Sequence, residues 1–175
     1  MERWVIAIGM AVGIVLGIGG GIVTPGPLQT LMWAVSSVGL VVAGPLLALR
    51  NVRAGRPIVA SGFAVFVVAE MVLWAGGLPG TAGYAASFSA GALFYVPAFL
   101  MISLPAGYPI WARLLGAAAA VPFAAHAFIF LTGGTPSEML QAIGYPVMSA
   151  ASVGWILHEF RAANATTGAT TGTPG

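Results

Sequence analysis

The chain has 175 residues, of which 59% are hydrophobic and 6% are charged, and its mean hydropathy is +0.98. A water-soluble domain of this size does not have such a composition, which is typical of a polytopic membrane protein. The sequence has no Cys and no Lys, so disulfides, thiolate zinc sites, iron–sulfur clusters and lysine Schiff bases are excluded. We therefore expect neither a metal ion nor a cofactor.

Six apolar runs are each about 20 residues long, enough to cross a hydrocarbon core of about 30 Å as helices. They cover residues 4–24, 28–50, 57–79, 83–104, 109–132 and 136–160. Breaks rich in Pro and Gly separate them, which is typical of turns and helix starts. The sequence thus predicts an all-α bundle of six transmembrane helices with short loops over residues 1–162. The small, polar, Gly-rich segment 163–175 is predicted to be a disordered cytoplasmic tail.

All arginines fall at one end of the predicted bundle, and the loops at the other end have no Arg or Lys. The six are Arg3, Arg50, Arg53, Arg56, Arg113 and Arg161. By the positive-inside rule this end is cytoplasmic, which predicts a multi-pass protein of the cell (inner) membrane with both termini in the cytoplasm. Membrane lipids are the expected partners, since Arg attracts anionic head groups; nucleic acid is not expected.

The first helix has a glycine every fourth residue, at Gly9, Gly13, Gly17 and Gly21. Such a stripe removes side chains from one face and lets another helix approach closely. Two interpretations follow from the pattern. The stripe is either the interface of a homo-oligomer or a contact between two helices of one bundle, and the second is favoured because small residues line most membrane helix contacts.

Glu70 is a carboxylate inside an apolar run, which is rare and usually marks a functional pathway. It precedes Pro79 by nine residues, so its Cα lies roughly 13 Å from the predicted end of the third helix. His126 precedes Gly133 by seven residues, roughly 10 Å by the same rise. Similar counting brings six hydroxyl side chains into the same layer, namely Ser36, Ser37, Ser87, Ser89, Tyr145 and Ser149.

These depths suggest His126 as the partner of Glu70. A carboxylate beside an imidazole could pass a proton or change charge when a ligand arrives. A purely structural Glu–His hydrogen bond between two helices is the alternative. No comparable polar set is predicted in the other half of the bundle, where His158 and Glu159 are expected at the membrane interface beside Arg161.

Three functions fit this pattern. The leading hypothesis is a small transporter or channel with an outward-facing polar cavity around Glu70 and His126, for a small solute or protons. The second is an intramembrane isomerase or cyclase that uses Glu70 as general acid or base on a lipophilic substrate. The third is a non-catalytic subunit of a membrane complex, which needs no site.

Overall fold

The computed structural model describes residues 1–135 and 138–169 of the chain. The elements are α1 (Glu2–Ile22), α2 (Pro27–Arg53), α3 (Pro57–Ala75), α4 (Tyr84–Ser103), α5 (Ile110–Leu131) and α6 (Glu138–Ala169). Each is long and apolar enough to span a membrane, where a helix satisfies every backbone polar group internally. The predicted all-α bundle of six helices is confirmed.

The largest differences from the predicted helix boundaries are at the ends of α3 and α6. α3 ends at Ala75 instead of residue 79, because Gly77 takes a φ of 101°, a left-handed conformation that Gly adopts readily and that stops a helix. α6 continues to Ala169 and so enters the segment predicted as a disordered tail. The first strong helix breaker after Arg161 is Gly168. Residues 136–137 and 170–175 lie outside the described residues.

The helices form a ring in chain order. Each of α2 to α5 packs against the helix before it and the helix after it, and α1 packs against α6 to close the ring. Since successive helices run in opposite directions, all six arginines lie at one end, which we call the arginine end. The loops at residues 23–26 and 76–83 lie at the opposite end. α4 therefore separates α3 from α5.

The glycine stripe of α1 is a contact with α2. A methyl group on Gly9 would lie 2.7 Å from the carbonyl oxygen of Gly39, and one on Gly13 would lie 2.4 Å from a methyl carbon of Leu40. A methyl group on Gly17 would meet the hydroxyl of Ser36, whereas Gly21 has nothing within 4 Å. Three of the four positions thus pack against α2, as the intrachain interpretation predicts, whereas the homo-oligomer stays a prediction.

Aromatic rings fill the centre of the bundle. Tyr95 and Phe99 of α4 stack with ring centroids 5.3 Å apart, and Phe123 of α5 packs 4.8 Å from Tyr95. Phe63 of α3 meets Trp155 of α6 edge to face at 5.5 Å. All five side chains are at most 1% exposed, so the core is closely packed at this level.

Candidate functional site

Glu70 lies in the last turns of α3 and is only 2% exposed. α3 ends five residues later at Ala75, so the Cα of Glu70 is roughly 7.5 Å from the helix end. The hydroxyl of Tyr95 on α4 donates a hydrogen bond to Oε1. The hydroxyl of Ser37 on α2 donates to Oε2 at 2.7 Å. Both carboxylate oxygens thus have an O–H donor, one from each neighbouring helix.

Two further side chains support this arrangement. The indole Nε1–H of Trp74, one turn after Glu70, donates to the Ser37 oxygen at 2.8 Å. This bond directs the Ser37 hydrogen away from the indole and towards Glu70. Tyr145 of α6 interacts electrostatically with both Tyr95 and Glu70. A line of polar groups therefore runs from α2 through α3 and α4 to α6.

Glu70 lies at the floor of a groove of about 380 Å³ between α2 and α3. Most of its walls are apolar, and its polar lining comes from Ser37, Glu70 and Trp74. Val38, Val42 and Met71 line the groove and are 61%, 47% and 61% exposed on the outer surface of the bundle. Because this surface faces lipid in a membrane, the groove gives lateral access from the hydrocarbon to the carboxyl group.

Within the described part of the chain, no cationic side chain forms an ion pair with Glu70. The ion pairs of residues 1–135 and 138–169 join Arg50 and Arg56 to Glu159, and Arg53 to Glu2. Hydrogen-bond donors stabilise an ionised carboxylate but do not neutralise it. The site is therefore suited to a proton or to a cation that comes from outside the protein.

The expected pairing of Glu70 with His126 is wrong. His126 Nε2 lies 3.2 Å from the hydroxyl of Ser89 on α4, and the imidazole packs edge to face on Phe88 with ring centroids 5.0 Å apart. Its Nδ1 is buried and has no hydrogen-bond partner within the described ranges. The two residues are matched in depth, since each precedes the end of its helix by five residues, although Glu70 lies nearer to the helix end than predicted. They do not meet because α4 stands between α3 and α5.

The remaining predicted residues do not share one polar cavity. Of the eight, only Ser37 and Glu70 line the groove. Ser36 donates to the carbonyl of Gly13 at 2.6 Å and so fastens α1 to α2. Ser87 donates to the carbonyls of Leu73 and Tyr84, and Ser149 is buried in α6. These serines act mainly as hydrogen-bonding contacts between and within helices, which is common in membrane bundles.

A second polar cluster lies at the arginine end, where no comparable set was predicted. Glu159, two residues before Arg161, is 4% exposed, so its side chain is buried within the bundle. Its Oε2 lies 3.1 Å from Nε of Arg50, and its Oε1 lies 3.7 Å from Nη2 of Arg56. One carboxylate on α6 thus holds a guanidinium from the end of α2 and another from the loop before α3.

Tyr108, in the loop between α4 and α5, joins this cluster. It donates to Oε1 of Glu159 at 3.2 Å and accepts a hydrogen bond from Nδ2 of Asn51 at 3.2 Å. Its ring lies 5.5 Å from the guanidinium carbon of Arg56 and 5.1 Å from the ring of His158. Burial, together with the charge of Glu159, raises the pKa of Tyr108 well above its usual value. The hydroxyl therefore stays protonated and remains a donor.

Sequence reasoning missed Tyr95 and Trp74 at the groove, although one signal was present. Tyr95 falls in the middle of an apolar run, and a buried Tyr hydroxyl usually finds a hydrogen-bond partner. At the arginine end, Asn51 is an equivalent signal: it directly follows Arg50 and is fully buried. In both cases the polar group indicated a buried contact but not its partner.

No protein family, no curated protein and no solved structure matches this chain. Function is therefore argued from the chemistry of the Glu70 groove.

Proposed function

We propose that the protein is a transporter that exchanges protons for a lipophilic cation, with Glu70 as the group that holds one or the other. The observation that carries the proposal is a carboxyl group, 2% exposed and without a cationic partner in the described chain, at the floor of a lateral apolar groove. An ionisable side chain left charged at membrane depth costs on the order of 2.5–3.5 kcal/mol. In the free protein Glu70 therefore holds a proton, and its hydroxyl donates to the oxygen of Ser37 or Tyr95, whose own hydrogen turns away from the carboxyl group.

The groove selects the cation by its apolar surface. Its volume of about 380 Å³ is in the range of sites for drug-sized ligands. Val38, Val42 and Met71 supply aliphatic walls, and the Trp74 ring at the same site offers a face that attracts a cation. A small hydrated ion gains little from such walls, whereas an organic cation buries its apolar groups and places its charge beside Glu70.

The exchange is balanced in charge. When a monovalent cation binds, Glu70 releases one proton to water and becomes the counter-ion of the ligand; when the cation leaves, Glu70 takes up one proton. The two ligands compete for one carboxylate, so both cannot be carried in the same direction at once. In the cell membrane, with the arginine end in the cytoplasm by the positive-inside rule, Glu70 lies in the outer half of the protein.

The test is calorimetric titration of the purified protein with tetraphenylphosphonium in buffers of different ionisation enthalpy. Binding with release of about one proton is expected. Glu70→Gln keeps the shape but loses the charge, which we expect to weaken binding about tenfold to a hundredfold and to abolish proton release. Neutral triphenylphosphine oxide should bind wild type and variant alike. Absence of cation binding by the wild type overturns this function and favours the non-catalytic subunit.

His126 provides a separate prediction. Because its imidazole contacts Ser89 and Phe88 and not Glu70, His126→Gln should leave both the affinity for the cation and the proton release unchanged. Gln retains a group that can hydrogen-bond to Ser89, so the variant should fold. A loss of binding comparable to that of Glu70→Gln would show that the two residues act together.

The enzymatic alternative has one specific observation in its favour. Tyr95 donates its hydroxyl hydrogen to Glu70 beside apolar walls, and a Tyr–Glu pair can serve as acid and base on a neutral lipophilic substrate. An isomerase or cyclase of this kind returns the proton it takes, so binding of substrate releases none. The calorimetric titration therefore distinguishes the two functions.

A further inference from the structure

A second cleft, of about 510 Å³, lies between α1 and α2 at the arginine end, far from the Glu70 groove. Its lining includes Met1, Glu2, Arg3, Arg50 and Arg53. Counting Glu159, which pairs with Arg50, three arginines face two carboxylates, so the cleft keeps a positive charge and attracts anions. It lies at the level of the helix ends, where phospholipid head groups lie in a membrane that the bundle spans.

The guanidinium groups retain donors for a ligand. Arg53 contacts Oε2 of Glu2 through Nη1 at 3.1 Å, and Arg50 contacts Glu159 through Nε at 3.1 Å. Each contact uses one nitrogen of a group that carries five N–H donors. The fork of donors on Arg matches two phosphate oxygens better than a point charge does. The positive part of the cleft is therefore suited to a phosphate group.

Glu2 adds a second requirement. The Glu2 side chain is 37% exposed, and its Oε1 turns inward, where it accepts no hydrogen bond from the described part of the chain. A carboxylate oxygen without a donor is costly, and rotation of this exposed side chain presents it to a ligand in the cleft. A simple anion would repel this oxygen, whereas a ligand with an N–H donor beside its phosphate would satisfy it. The cleft therefore combines partners for a phosphate and for an ammonium group.

We infer that this cleft binds the head group of a phospholipid that carries a primary ammonium, with the phosphate on the arginines and the ammonium on Glu2. A lipid is favoured over a soluble phosphoamine because exposed apolar side chains continue along both helices towards the hydrocarbon. Val5 and Ile8 of α1 and Leu49 and Val52 of α2 are 38%, 60%, 42% and 59% exposed. Acyl chains attached to the head group can lie on this surface.

The experiment is native mass spectrometry of the full chain in detergent with phosphatidylethanolamine, phosphatidylcholine or phosphatidylglycerol of identical acyl chains. The ethanolamine and choline head groups have the same net charge, but the quaternary choline has no N–H donor. We expect the ethanolamine lipid to bind about tenfold more tightly than the choline lipid. Glu2→Gln should remove that preference, and Arg3→Gln should weaken both lipids.

The controls separate this site from other effects. Arg161→Gln removes an exposed positive charge from the same end without touching the cleft and should leave the lipid preference intact. Glu70→Gln should also leave it intact, so the inference does not depend on the proposed transport function. Equal affinity of the wild type for ethanolamine and choline lipids, or tighter binding of the glycerol lipid than of the ethanolamine lipid, would overturn the assignment.

Discussion

Glu159→Gln is expected to lower the free energy of unfolding by about 3 kcal/mol, because two arginine side chains then share a mostly buried site without a carboxylate. Gln has the same shape as Glu and can still accept from Tyr108, so the variant isolates the loss of charge. The side chains of Arg50 and Arg56 are 22% and 23% exposed. This partial contact with solvent places the effect at the lower end of what removal of one partner of a buried ion pair costs.

Thermal melting of the purified protein in one detergent measures this effect. Arg161→Gln is the matched control, since it changes one charge at the same end on an exposed side chain. In the double variant Glu159→Gln with Arg50→Gln, the site again carries one net positive charge, as in the wild type. This variant should therefore recover part of the lost stability. Melting of Glu159→Gln at the temperature of Arg161→Gln would show that the ion pairs contribute nothing.

Gly39→Ala is expected to separate α1 from α2 and to destabilise the protein by at least about 2 kcal/mol. A methyl group on Gly39 would lie 2.5 Å from the carbonyl oxygen of Gly9 and 3.2 Å from the backbone nitrogen of Gly13. Both obstacles are backbone atoms of the other helix, so no side chain can rotate away to make room. The helices must move apart along the whole stripe.

Gly21→Ala is the control for this prediction. Gly21 also lies in α1, but a methyl group there has nothing within 4 Å. Ala has the higher helix propensity by up to about 1 kcal/mol, so this variant should melt at or above the temperature of the wild type. The yield of folded protein and its melting temperature measure both effects. Equal melting of Gly39→Ala and Gly21→Ala would show that the α1–α2 contact is looser than described.

The sequence predicted the helices well because their signal is local. An apolar run long enough to cross the hydrocarbon core is typical of a transmembrane helix. Along the chain, connections that contain arginine alternate with connections that contain none. Boundaries were less certain where a single residue decides them. Gly77 ends α3 through its backbone angle, and sequence alone does not distinguish this Gly from those that continue a helix.

Depth was predictable, but neighbours were not. The helical rise relates sequence position to the distance from a helix end, and it predicted that Glu70 and His126 lie at similar depths. In the structure each residue precedes the end of its helix by five residues. The direction of a side chain around the helix axis, and the order of helices in the ring, decide which groups meet. Tyr95, on the intervening α4, takes the place expected for His126.

The charged cluster at the arginine end was missed for a different reason. Charged residues near the ends of a membrane span usually reach water or lipid head groups, so Glu159 was assigned to the interface. Its burial depends on the loop between α4 and α5, which brings Tyr108 over the carboxylate. Such a loop contact has no periodic pattern that a sequence could reveal.

The ring of helices also bears on how the protein assembles during synthesis. α2 to α5 each pack against the helix made just before and the helix made just after, so these interfaces can form while later helices are still being translated. The seam between α1 and α6 joins two helices whose synthesis is separated by four others. Glu159 belongs to α6, so its pairs with Arg50 and Arg56 form only after α6 has been made, and ring closure completes the buried cluster.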